Sequence, residues 1–69
     1  MARWFKVSIR GDGMETFAID GDGVNRWPIM EQAEAEAMSL IRVGIDVRRV
    51  FLIEVDDGDR TVSERPFGA

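Results

Sequence analysis

Residues 4–20 read WFKVSIRGDGMETFAID, and this stretch decides the fold because apolar and polar residues alternate on both sides of a glycine-rich break. Over residues 4–9, Phe5, Val7 and Ile9 alternate with mostly polar neighbours, which is typical of a half-buried strand. The break Gly11-Asp12-Gly13 supplies residues that accept positive φ, as a tight hairpin turn requires. The sequence therefore predicts a β-hairpin at this end of the chain.

The second strand of this hairpin is predicted over residues 14–20. Its alternation places Phe17 and Ile19 inward, with Thr16 and Ala18 outward. A polar, glycine-rich loop follows and ends at Pro28.

A helix is predicted over residues 28–43, where the apolar period changes from two to that of a helix. Pro28 suits the first turn because its missing N–H has no partner there, and Gly44 is placed to end the helix. The inward stripe consists of Ile29, Met30, Ala33, Ala37, Leu40 and Ile41.

A third strand is predicted over residues 47–55, and it is apolar on both faces. We assign Val47, Phe51, Ile53 and Val55 to the inner face. Val50 and Leu52 then point outward. Residues 60–64 can add a short fourth strand before Pro66 stops it.

The order β-β-α-β predicts an α+β fold with one domain, residues 1–69. A three-stranded antiparallel sheet in the order 2-1-3 carries one helix on one face, and the crossover to the third strand is right-handed. One helix covers only one side of the sheet, so the other side is left for function.

Composition narrows the functional classes. The chain of 69 residues has no cysteine and no histidine, and its formal net charge is −4. Disulfides and thiolate metal sites are excluded, and the charge disfavours a general nucleic-acid binder. No apolar run approaches the length of a membrane span and no leader precedes one, so we expect a cytoplasmic protein without membrane contact. The acid and base groups are carboxylates in turns or on the helix surface, so we expect neither an enzyme nor a cofactor.

The aspartate-glycine clusters invite a calcium interpretation. Asp20, Asp22 and Glu31 occupy the first, third and twelfth places of a loop of EF-hand length. However, Val24 stands where an oxygen ligand belongs, and Asn25 replaces the glycine of the sixth place. We therefore interpret the clusters as turns and predict no metal site.

The predicted uncovered side of the sheet is the main candidate site. Its residues are Trp4, Lys6, Arg10, Met14, Ala18, Arg48, Val50 and Leu52. Tryptophan, arginine, methionine and aliphatic side chains are the types found at interface centres, which favours a protein partner or a symmetric homodimer. The alternatives are a basic sheet that stacks nucleic acid through Lys6, Arg10 and Arg48, and a set of scattered surface residues without a role.

Two further surfaces are candidates. Trp27 is expected to fold over the end of the core; otherwise Asn25, Arg26 and Trp27 form an exposed binding loop. On the helix, Glu31, Glu34 and Glu36 are expected to be a solvated face, with the imitation of a row of phosphates as the alternative.

The chain resembles small proteins of bacteriophages and mobile elements, including β-β-α-β anti-CRISPR inhibitors. The resemblance rests on the two strands, the Ala- and Glu-rich helix over residues 28–43 and the closing strand over residues 48–55. It implies a non-enzymatic phage protein that inhibits a host CRISPR complex in the host cytoplasm by protein–protein contact, either as a plug or as a mimic of nucleic acid. The resemblance assigns no site residues.

The hairpin followed by Glu31-Gln32-Ala33-Glu34-Ala35 is also similar to the N-terminal half of HicB-type antitoxins. Those proteins carry a Leu-Pro-Gly-Cys-like turn where this chain has Asn25-Arg26-Trp27-Pro28. This second resemblance implies an antitoxin-like regulator that binds nucleic acid.

Overall fold

Two antiparallel hairpins and a helix make up the fold. The computed structural model describes residues 2–68. Its strands are β1 (Trp4–Gly11), β2 (Met14–Phe17), β3 (Val50–Val55) and β4 (Thr61–Pro66), and its helix is α1 (Met30–Arg42). A short 3₁₀ turn, Val47–Arg49, leads into β3. The described residues therefore confirm the predicted α+β class.

The strands form one antiparallel sheet in the order β2-β1-β3-β4. The predicted order of the first three strands is confirmed, and the fourth strand, expected over residues 60–64, runs from Thr61 to Pro66 beside β3. Phe67 N–H donates to the Val50 carbonyl at 2.9 Å, so strand alternation turns the nitrogen of Pro66 away from β3. A proline is tolerated there because no ladder hydrogen bond is lost.

A two-residue turn joins β1 to β2. Asp12 and Gly13 have φ of 54° and 77°, and Gly11 lies opposite Met14. Two consecutive positive φ values are the signature of a type I′ turn, whose twist matches that of the flanking strands. The turn thereby fixes which residue of β2 faces which residue of β1.

The helix begins two residues later than predicted because the preceding chain joins the sheet. Trp27 exchanges two backbone hydrogen bonds of 2.8 Å with Phe5. Ile29 still has an extended backbone, with φ of −123°. The residue is 51% exposed, so it does not belong to the inward stripe of the helix. At the other end, Gly44 and Ile45 donate to the carbonyls of residues 41 and 40, a Schellman motif that ends the helix at the predicted glycine.

The helix packs on the face of the sheet that carries Val7. Leu52 lies directly opposite Val7, and Val50 shares its side of β3. These residues are buried together with Ala33 and Ala37, both completely inaccessible to solvent. Two alanines at the contact bring the helix close to the sheet.

The prediction that Val50 and Leu52 point away from the helix is wrong. When both faces of a strand are apolar, the alternation of the sequence does not show which face packs on the helix. A shift of one residue in the assignment then exchanges the inward and the outward residues. The 3₁₀ turn also takes Val47 out of the strand, so this residue does not continue its alternation. Phe51, Ile53 and Val55 consequently lie on the opposite face of the sheet.

The predicted orientation of the second strand is wrong as well. Phe17 lies opposite Ser8, on the side away from the helix, while Ala18 is buried in the core. Ile19 lies beyond the end of β2 and is 61% exposed. The cause is the two-residue turn, because it pairs odd-numbered residues of β2 with even-numbered residues of β1.

Because the helix lies close to the sheet, we expect the stability of the protein to depend strongly on the size of the side chain at Ala33. Ala33→Leu should destabilise the protein by about 1–3 kcal/mol, because the added side chain has no space between helix and sheet. The matched change Ala35→Leu, on the exposed side of the same helix, should stay within about 0.5 kcal/mol. Urea unfolding followed by circular dichroism measures both. Similar losses for the two variants would contradict this packing.

Candidate functional site

The candidate site is the face of the sheet opposite the helix, which we call the outer face. All four strands contribute to it, because directly opposed residues share a side of the sheet. Its residues are Trp4, Lys6, Ser8 and Arg10 from β1, Glu15 and Phe17 from β2, Phe51, Ile53 and Val55 from β3, and Glu64 and Pro66 from β4. No element formed by residues 2–68 lies across this face.

Cationic side chains cover the aromatic rings of the outer face. The Lys6 Nζ atom lies 4.2 Å from the centre of the Phe17 ring, and the Arg10 Cζ atom lies 4.4 Å from that of Phe51. Arg26, from the loop before the helix, stacks on Trp4 at 4.4 Å. The ring faces attract the cations electrostatically, so each ring and its cation form one amphipathic unit.

Arg10 connects the two edges of the sheet. Its guanidinium donates two hydrogen bonds to Glu64 of β4, at 3.2 and 2.9 Å, and its Nε atom donates to Glu15 of β2 at 3.0 Å. The Ser8 hydroxyl, which is completely buried, donates to the same Glu15 carboxylate at 2.5 Å. One arginine thus holds carboxylates from both edge strands above the middle of the face.

These contacts shift the pKa values of the groups involved. The Ser8 hydroxyl and then the Arg10 guanidinium hold the pKa of Glu15 below its ordinary value. Hydrogen bonds from Arg10 likewise lower the pKa of Glu64, and the bond to Glu64 raises the pKa of Arg10. Arg10 therefore stabilises both carboxylates in their ionised forms, and this outweighs the repulsion by which Glu15 acts to raise the pKa of Glu64.

The outer face is closed by its own long side chains. Lys6 is only 8% exposed and its Nζ atom lies 3.5 Å from an Asp59 carboxylate oxygen, while Ile53 and Val55 are buried beneath the neighbouring side chains. The cations Lys6 and Arg10 therefore both have acidic partners. Apolar and ion-paired groups alternate across a surface that carries little net charge.

The structure brings together only part of the predicted binding set. Trp4, Lys6, Arg10 and Arg26 lie on or beside the outer face. Val50 and Leu52 do not, because both are in the core under the helix. Trp27 is 8% exposed and packs in the same core, so its predicted position over the core is confirmed and it belongs to no exposed loop. Asn25 is exposed in the loop before the helix.

Arg48 lies in the 3₁₀ turn rather than on the sheet. It forms an ion pair of 2.7 Å with Asp46, which lowers the pKa of that carboxyl to about 2. Beside it is an apolar groove of about 260 Å³ that adjoins the outer face. The groove is lined by Val47, Arg48, Phe51, Pro66 and Gly68.

The residues missed by the sequence interpretation are the aromatic and acidic partners of the face. Alternation alone predicts that Phe17 and Phe51 lie in the core. For Phe17 a usable signal exists, since a two-residue turn fixes which side of β2 faces the helix. The pairing of Arg10 with Glu64 spans 54 positions and has no local signal.

The aspartate-glycine loop forms turns. Asp20 Oδ1 accepts hydrogen bonds from the N–H groups of Asp22 and Val24, at 2.8 and 2.9 Å. Within residues 2–68, no group of three or more carboxylates is placed to hold a metal ion. In the same part of the chain, no helix has the length and apolar character needed to cross a membrane.

Comparison with known families, with curated proteins and with solved structures finds no match to this chain. The geometry of the outer face is therefore the basis for a functional proposal.

The Arg10 cluster predicts a specific sensitivity to acid. Because the pKa values of Glu15 and Glu64 lie below the ordinary value of 4.5 in the folded protein, their stabilising effect is present above that pH and is lost as the pH falls through the lowered values. The urea midpoint of the wild type should therefore fall more steeply between about pH 5 and pH 3 than that of Glu64→Gln.

The control for this prediction is Glu31→Gln, which changes an exposed carboxylate on the helix. This variant should keep the wild-type slope, since Glu31 lies outside the cluster. Equal slopes for the wild type and Glu64→Gln would show that the bond between Arg10 and Glu64 adds nothing to stability.

Proposed function

We propose that this chain is a non-enzymatic binding protein that contacts a protein partner through the outer face. The observation that carries the proposal is the row of three cation–ring pairs, which lie along β1 and are covered by no element of residues 2–68. Aromatic and arginine side chains dominate the energetics of protein interfaces. The face offers both types in fixed positions.

Charge distribution favours a protein over a nucleic acid. Binding to nucleic acid requires lysine and arginine side chains that can contact phosphates and displace the counterions condensed on them. Lys6, Arg10 and Arg48, the residues predicted for that role, each form an ion pair with a carboxylate of this chain. A protein interface accommodates such a mixed surface, since about half of a typical interface is polar and arginine and aromatic side chains are enriched in it.

The groove beside the 3₁₀ turn provides an anchoring position at one end of the face. Phe51 and Pro66 belong to both the groove and the outer face, and Arg48 stands at its rim. Partners commonly insert a large apolar side chain into such a pocket, surrounded by polar contacts that exclude water. A partner that covers the face would reach this groove without any change in the backbone.

The more specific form of the proposal is a phage-type, anti-CRISPR-like inhibitor of a host complex. Its support is the sequence resemblance described above, which covers most of the chain. In this form the outer face and the neighbouring loop with Asn25 and Arg26 occupy a surface that the host complex needs. Inhibition would then follow from occupancy, without a chemical step.

The proposal predicts that the partner is lost when two aromatic rings of the outer face are removed. The double variant Trp4→Ala with Phe17→Ala should weaken capture of the partner from an extract of the source cells by about tenfold or more. Immobilised protein, quantitative mass spectrometry of the bound proteins and circular dichroism of each variant provide the measurement.

The matched control is Met38→Ala with Val43→Ala, which removes two exposed apolar side chains from α1 and its C-cap. This control should retain wild-type capture. If the outer-face variant folds and still captures every protein that the wild type binds, the outer face is not the binding surface. Salt-sensitive binding to an oligonucleotide would favour the antitoxin-like alternative, and a concentration-dependent dimer lost in the outer-face variant would identify a second copy as the partner.

A further inference from the structure

The chain contains four Asp-Gly steps, and the structure holds them in different ways. The steps are 12–13, 20–21, 22–23 and 57–58. We propose that Asp12 is a site of spontaneous covalent modification, at which aspartate isomerises to isoaspartate. The reactive geometry is the exposed turn Asp12-Gly13, where neither the carboxylate nor the following amide is held by a hydrogen bond within residues 2–68.

The reaction is intramolecular and balanced by water alone. The backbone nitrogen of Gly13 attacks Cγ of Asp12, forming a C–N bond. The protonated carboxyl group of Asp12 loses its hydroxyl, which leaves together with the Gly13 amide proton as one water molecule. Water then opens the five-membered imide at either carbonyl. Opening at one carbonyl restores aspartate, and opening at the other leaves the chain running through the side-chain carbon as isoaspartate.

The step requires a free carboxyl group, and Asp20 does not have one. Its Oδ1 atom accepts two backbone hydrogen bonds, from Asp22 at 2.8 Å and from Val24 at 2.9 Å. Both must break before the carboxyl carbon can turn toward the nitrogen of Gly21. The structure of the loop therefore slows isomerisation at the 20–21 step.

The cyclisation also requires a free amide nitrogen. The Asp-Gly pairs 22–23 and 57–58 lack one. The N–H of Gly23, which would attack Asp22, donates to the Asp20 carbonyl at 3.0 Å. The N–H of Gly58, which would attack Asp57, donates to Asp56 Oδ1 at 2.9 Å. In each case the nucleophile is engaged in a hydrogen bond in the folded state.

The turn at Asp12 has neither restraint. Asp12 is exposed, and in a type I′ turn the residue pair 11 and 14 closes the hairpin, so the Gly13 amide is not needed for the ladder. Apart from the two residues adjoining it in the chain, no residue places a heavy atom within 4 Å of the position that a Cβ of Gly13 would occupy, so the turn is open on this side.

Isomerisation at this position would change the register of the hairpin. Isoaspartate adds one carbon to the main chain, and a two-residue turn has no slack with which to keep Gly11 opposite Met14. The strand residues next to the turn are Met14 and Glu15, and the Glu15 carboxylate accepts hydrogen bonds from the Ser8 hydroxyl and from Arg10. The modification therefore alters the outer face from its edge.

The test is an ageing experiment on the wild-type protein at neutral pH and body temperature. Trypsin cleavage after Arg10 and Arg26 isolates residues 11–26 with three of the steps, and cleavage after Arg49 and Arg60 isolates residues 50–60 with the fourth. Electron-transfer fragmentation then locates isoaspartate. We expect isoaspartate to accumulate at Asp12 about fivefold faster than at Asp57, because the Gly58 amide must first break one hydrogen bond that the Gly13 amide does not make.

Two comparisons show whether the fold causes this order. In urea, where all four steps lose their hydrogen bonds, the four rates should converge. In folded Asp56→Ala, which frees the Gly58 amide, the rate at Asp57 should rise toward that at Asp12. The proposal is overturned if isoaspartate forms in the folded wild type at Asp20, Asp22 or Asp57 as fast as at Asp12, or if none forms at Asp12 while the unfolded chain isomerises.

Discussion

Pairing along β1 is the constraint on which the rest of the structure depends. This strand receives β2 on one edge and β3 on the other, and Trp27 extends the first of these edges by its two hydrogen bonds to Phe5. Alternation along one strand therefore decides both layers of the molecule. Val7 and its odd-numbered neighbours support the helix, whereas the even-numbered residues from Trp4 to Arg10 build the outer face. The core and the candidate site are two sides of the same eight residues.

The single helix limits how much of the sheet can be covered on its own side. Four strands spaced about 4.8 Å apart are nearly twice as wide as a helix of about 10 Å. The helix lies over β1 and β3, and the exposed strand β4 extends beyond it. Arg65 of β4 reaches back to Met30 and Glu34 of the helix, at 3.3 and 3.5 Å, and so closes part of the gap with a long side chain. On both faces of the sheet, a long arginine side chain thus covers surface that no helix or strand covers.

Local patterns predicted the elements, and long-range pairing decided the site. The strands, the helix and the order of the first three strands follow from periodicity and turn chemistry. The orientation of the second strand was also available from the sequence, since the Asp12-Gly13 turn pairs odd with even residues. The third strand carried no such signal, because both of its faces are apolar. Its register on β1 is set by packing across the sheet, which no local segment encodes.

The ion pairs of the outer face support the proposed binding role because they order its side chains in advance. A long cationic side chain that is immobilised only on association costs about 0.5–1.5 kcal/mol in lost conformational freedom. Arg10 is already held by Glu15, Glu64 and the Phe51 ring in the free protein, so its ordering belongs to folding. Lys6 is held in the same way by Asp59 and Phe17. A partner that bound as proposed would meet a preorganised surface whose charges are already compensated. Recognition would then depend on shape and on the aromatic side chains, because the small net charge of the face offers little long-range attraction.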